Sequence, residues 1–180
     1  MKKILAFVLI LSILAVVPCA LAANKSKTTG GGGGGSDYEW KPIPSGPDTV
    51  ISTEDLSEAA TEMITAMEEA VQGGGSASSV LEPDAASELG DEAVATDAVG
   101  IKADGTKPAD GVFSFPTKYD VNAKLKALIT CFDANKTVTA QFVAKATPLE
   151  DGRVKVHFTK KMLEAMQAAN STSIVIFEMK

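Results

Sequence analysis

Seven of the ten aromatic residues in this 180-residue chain lie after residue 111: Phe113, Phe115, Tyr119, Phe132, Phe142, Phe158 and Phe177. A large apolar side chain contributes about 1.5–3 kcal/mol when fully buried. The distribution therefore predicts a core in residues 112–180. A segment of about 70 residues can build one small core, though a marginal one.

Charge divides the chain at the same place. The net charge is −6. Residues 37–111 carry 17 of the 23 acids against Lys41, Lys102 and Lys107, a net −14, whereas residues 112–180 carry +4. This asymmetry predicts a solvated acidic stretch beside a mildly basic folded unit. Within residues 112–180 the apolar pattern has mostly period two, as strands require. Val112 to Phe115 alternates and ends at Pro116. Leu125 to Phe132 is nearly continuous, as for a strand covered on both faces. Val138 to Ala144 and Val154 to Phe158 alternate after the turn residues Asp133 to Lys136 and Pro148 to Gly152. Thr159 can cap a short helix over 160–169, and Ser173 to Met179 reads as a final strand. Hairpin-length links favour a β-sandwich-like module with one short helix.

Upstream, the pattern changes. Lys2 and Lys3, an apolar run from Ile4 to Val17 and the exit Ala20-Leu21-Ala22 have the form of a secretory signal peptide, 1–22. The mature chain is expected to start at Ala23, outside the cytoplasm. It then holds no membrane span, since the run is short of about 20 apolar residues. Pro18 argues against lipidation at Cys19. Cleavage leaves Cys131 as the one thiol, so an internal disulfide is excluded, and its apolar setting marks it as a small buried hydrophobe. Residues 23–52, with six glycines from Gly30 to Gly35, read as a flexible linker. Residues 53–72 read as an amphipathic helix capped by Ser52, with Leu56, Met63 and Met67 on its apolar stripe. Residues 73–111, rich in Gly, Ala, Ser, Asp and Glu, read as an acidic low-complexity linker. The fold class expected is thus α+β, mostly β: a C-terminal sandwich-like module at 112–180, preceded by an isolated helix and disordered linkers.

Chemistry is sparse. His157 is the one imidazole. Neither a zinc ligand set nor a nucleophile motif accompanies it, and Lys107 and Pro108 spoil a calcium reading of the acids around them. No catalytic, cofactor-binding or metal-ligating residue is assigned, and no cofactor is expected. Arg153, Lys155 and His157 alternate outward on one strand, with Lys160 and Lys161 just beyond, forming the most basic cluster. Together with Leu56, Met63 and Met67 they are the candidate interaction residues. An anionic surface polymer or another envelope protein is the partner expected. Nucleic acid is not, because the neighbouring aromatics alternate inward rather than interleave with the cations.

In layout the chain resembles exported bacterial surface and envelope proteins. The residues that carry the resemblance are the signal Met1 to Ala22, the tether Gly30 to Gly35, and Gly152-Arg153-Val154-Lys155-Val156-His157-Phe158-Thr159 followed by a helix and Ser173 to Phe177. Such proteins pair a low-complexity stalk with a small β-rich module, often immunoglobulin-like. The resemblance implies a non-enzymatic binding or structural module at the envelope. The alternative is a small soluble extracytoplasmic ligand-binding or inhibitor protein.

Overall fold

The computed structural model of the protein describes residues 49–180. The expected signal segment 1–22 and linker residues 23–48 lie outside the described residues. The elements in chain order are β1 (Val50–Glu54), α1 (Glu58–Gln72), a 3-10 turn (Ala77–Val80), α2 (Pro83–Leu89), β2 (Ala93–Asp104), β3 (Ala109–Phe113), β4 (Leu125–Phe132), β5 (Val138–Pro148), β6 (Val154–Phe158), α3 (Lys160–Ala168) and β7 (Ser171–Met179).

The seven strands form a single antiparallel sheet in the order β1-β2-β7-β4-β5-β6-β3. The class is mostly β, as the sequence predicts. β4 and β7, the two longest apolar runs, sit near the middle of the sheet, where both faces are covered. The sandwich is replaced by one sheet with helices on both faces. On the inner face, Met162, Leu163 and Met166 of α3 pack with Ala127, Ile129, Ile174, Ile176 and Phe158. Against the outer face, Ile64 and Met67 of α1 and Ala85 and Leu89 of α2 pack with Leu128, Val175 and Phe177. No second sheet is needed, because helices bury the outer face.

The sheet is strongly coiled. β2 and β3 lie five strand spacings apart in the order, about 24 Å across a flat sheet. The link through residues 105–108 reaches only about 18 Å. Strand twist must therefore bring the two ends of the sheet toward each other. Accordingly, Ile51 and Ile101 from one end share a cluster with Phe113 and Phe158 from the other. The Thr49 hydroxyl also donates to the Lys107 carbonyl at 2.9 Å.

Residues 73–111 are thus not a linker. They supply α2, the twelve-residue β2 and the edge strand β3. Their core residues are mainly Ala77, Ala85, Ala93, Ala98, Ala103 and Ala109, small side chains that composition scores as solvated. The expected linker 23–52 gives way to β1 from Val50, which pairs with β2. That pairing takes Ser52 into a strand, so the cap of α1 moves to Ser57, whose side chain accepts from the Ala60 N–H at 3.2 Å. Gly100 lets the chain leave β1. A Cβ there would overlap the carbonyl oxygens of Glu54 and Asp55.

Candidate functional site: the open end of the outer sheet face

Among the described residues, the apolar clusters beneath α1 and α2 include no residue of β6 or β3. In β6, Val154, Val156 and Phe158 point into the α3 core, which leaves Lys155 and His157 on the other face. Asp110 of β3 stands directly opposite His157, and Val112 opposite Lys155. The His157 Nδ1 lies 2.7 Å from Asp110 Oδ1, and the Lys155 ammonium lies 3.9 Å from Asp110 Oδ2. One carboxylate therefore serves two basic groups, all about half exposed or more.

β5 adds a cation that the sequence reading missed. Its pairing aligns Thr147 with Lys155 and Ala146 with Val156. Lys145 is thus at the next position along, on the same face as His157, and it is exposed. It also stands directly opposite Lys126 of β4, and like charges so placed repel. Lys126 turns away: its ammonium donates to the carbonyls of Glu88 and Leu89, the latter at 3.1 Å. A cation there complements the C-terminal end of α2. Lys145 is left with the open end of the face.

The other sequence-predicted cations do not join this group. Arg153 folds back on Asp151 in the turn, with Nη2 at 2.6 Å and Nε donating at 2.8 Å. Those hydrogen bonds hold the Asp151 carboxyl below the usual carboxylate range. Lys160 pairs with Glu164 along α3 at 3.6 Å. The Lys161 ammonium lies 5.6 Å above the Phe142 ring, and both belong to the α3 side of the sheet. So the structure brings Lys155 and His157 together on Asp110, places Lys145 on the same sheet face one residue past the end of the β5–β6 pairing, and gives Arg153, Lys160 and Lys161 other partners. A sequence signal existed for both missed residues. Val143-Ala144-Lys145-Ala146 places Lys145 outward, and Ala109-Asp110-Gly111 extends the Val112–Phe115 alternation backwards.

Leu56, Met63 and Met67 prove to be packing residues. Met67 is 1 % exposed beneath α1, and Leu56 and Met63 rest half-buried on the same clusters. The helix stripe is turned toward its own sheet.

Two further groups carry polar or reactive atoms. Asp97 sits at a β-bulge in β2 and is 1 % exposed. The Tyr119 hydroxyl donates to its Oδ2 and lies 2.6 Å from the Thr96 hydroxyl. Burial, and then the hydrogen bond to the Asp97 carboxylate, push the Tyr119 phenol well above its ordinary range. This contact ties the link between β3 and β4 to the bulge. Cys131 is fully buried, and burial raises its thiol pKa, which makes it a poor nucleophile.

Among the described residues no group of His, Cys, Asp and Glu side chains could hold a metal ion. No helix among them is long and apolar enough to cross a membrane. The chain matches no known protein family, curated protein or solved structure.

Proposed function

We propose that the protein is an exported, non-enzymatic binding module of the bacterial cell envelope, and that the open end of its outer sheet face contacts an anionic surface polymer. The observation that carries the reading is exposed Lys145 and half-exposed Lys155 on one face of the sheet, with His157 beside Lys155 and Asp110 as the counter-charge of Lys155 and His157. An ammonium on a flexible stem is a point charge that accepts sulfate, phosphate or carboxylate without strict geometry. That suits a repeating polyanion better than a single shaped ligand. The non-enzymatic reading rests on the environment of His157, whose hydrogen-bond partner among the described residues is the Asp110 carboxylate rather than a hydroxyl or thiol. Export rests on Lys2, Lys3 and the Ala20-Leu21-Ala22 exit.

Binding of the mature protein to immobilised dextran sulfate, with neutral dextran as control, tests the reading. The expected result is binding to the sulfated polymer alone, weakened by salt and lost in Lys145→Glu/Lys155→Glu. Equal binding to both polymers, or unchanged binding by the charge-reversed variant, would overturn it. N-terminal sequencing of secreted material should begin at Ala23.

A further inference from the structure

The turn between β4 and β5 carries a different chemistry. An asparagine followed two residues on by Ser or Thr, with no Pro between, is the acceptor signal for an N-linked glycan in exported proteins. Three such triplets occur in the chain: Asn24-Lys25-Ser26, Asn135-Lys136-Thr137 and Asn170-Ser171-Thr172. Asn135 alone has an acid, Asp133, two positions ahead; Ala22 and Ala168 stand there in the other two. An acid at that place adds a charge-assisted contact, which bacterial oligosaccharyltransferases of the longer-signal type require. Asn135 and Thr137 are exposed, and the Asn135 carboxamide has no hydrogen-bond partner among the described residues. The third triplet is closed: Thr172 is 6 % exposed within β7, its hydroxyl against the Cys131 sulfur at 4.0 Å. The Asn24 triplet lies outside the described residues.

We infer that Asn135 is the acceptor of an N-linked oligosaccharide on the exported chain. The inference rests on the export reading above. The donor is a polyprenyl-diphosphate-linked oligosaccharide. Asn135 Nδ2 attacks the anomeric carbon of its first sugar, and a carbon–nitrogen bond forms. The bond from that carbon to the diphosphate oxygen breaks, polyprenyl diphosphate leaves, and the amide nitrogen gives one proton to a base of the transferase. In the emerging chain Asp133 is not yet engaged by the turn and is free for the transferase. The folded turn then accommodates the product. Asp133 Oδ1 accepts from the backbone N–H groups of Asn135 and Thr137, both at 2.8 Å, and the Asp133 carbonyl accepts from the Lys136 N–H at 3.1 Å. Lys136 takes the left-handed conformation, with φ 64°, that closes such a hairpin. None of these bonds uses Nδ2, so a glycan there breaks none of them. The site is also remote from the cationic face. Val138 and Lys145 are seven residues apart along β5, about 23 Å.

The test expresses the full chain in bacteria that carry such a transferase and a lipid-linked oligosaccharide of known mass, beside a control acceptor that is modified in the same cells. Intact mass and glycopeptide fragmentation are measured on the exported protein. The wild type should begin at Ala23 and be heavier by one oligosaccharide, attached at Asn135. Asn135→Gln and Thr137→Ala should lose the added mass, and Asn170→Gln should keep it. Asp133→Ala should lose it, while Asp133→Glu, which keeps the acid and alters the turn, should retain it. Thermal melts confirm that each variant is folded. Undiminished modification of Asn135→Gln, or an unmodified mature chain beside a modified control, would overturn the acceptor site and leave export standing. Full modification of Asp133→Ala would overturn the role given to the acid. An unprocessed chain held in the cytoplasm would overturn the export reading and the acceptor site with it.

Discussion

The two halves of the sheet are built from different materials. β4 and β7 bury Leu128, Ile129, Phe132, Ile174, Ile176 and Phe177 completely or nearly so. The N-terminal half, β2 with α1 and α2, buries Ala59, Ala60, Ala77, Ala85, Ala93, Ala98 and Ala103, with Ile64, Met67, Leu89 and Ile101 as its few large residues. Small side chains release little transfer free energy each, but they let helices approach a sheet closely. Leu128, Val175 and Phe177 are covered because α1 and α2 come down over them. The bulky half supplies most of the driving force, and the small half supplies the cover that realises it. In the folded chain each half covers the other.

The largest test of this comparison is to separate the halves. A fragment comprising residues 112–180 loses β2 beside β7 and the helices over Phe177. It should fail to show a cooperative melting transition, while the 49–180 piece melts cooperatively. A folded, protease-resistant 112–180 fragment would mean that the bulky half is self-sufficient.

Within the small half, Met67 should matter most. Met67→Ala should lower stability by about 3 kcal/mol in urea unfolding. Met63→Ala, half-buried, should cost clearly less. Equal effects would show that burial under α1 is uniform along the helix. Gly100→Ala probes the close approach itself: its Cβ meets backbone oxygens rather than a movable side chain. A loss of about 2 kcal/mol is expected, and a neutral substitution would show that β1 is not tightly seated.

The link from β3 to β4 joins the two halves through Tyr119. Tyr119→Phe strips the hydroxyl from the buried Asp97 carboxylate and should cost about 1.5 kcal/mol. The phenol's pKa is raised in the folded state, so the folded protein keeps that proton where the unfolded chain loses it. Its contribution is intact below the ordinary phenol value of about 10 and declines as pH rises beyond it. Tyr119→Phe should therefore flatten the alkaline limb of the stability curve. The smallest effect is expected at Lys136, which bridges Glu58 and Glu62 at 3.0 and 2.9 Å. The pair is solvent-exposed and screened, and Lys136→Ala should leave the melting temperature nearly unchanged.

Elements made of large residues are legible in the residue pattern. Leu125 to Phe132, Val154 to Phe158, the Thr159-capped helix and the last strand all fall where alternation and capping place them. The candidate site was half legible. Lys155 and His157 show their outward phase in the strand pattern, whereas Lys145 and Asp110 become their neighbours only through pairings between β5, β6 and β3.

Residue order alone settled local matters: the phase of each strand, the end of each helix at a capping or turn residue, and a mostly β class with a bulky C-terminal core. Those are short-range properties, set by side-chain size and backbone preference. Which strand lies beside which, and on which face a helix comes to rest, was decided by the tertiary structure. Seven short strands can be ordered in many ways. The order that occurs is the one in which alanine-lined helices cover one face, α3 fills the other, and a short link draws the two ends of the sheet together. Asp110 reaches His157 as a consequence of that closure.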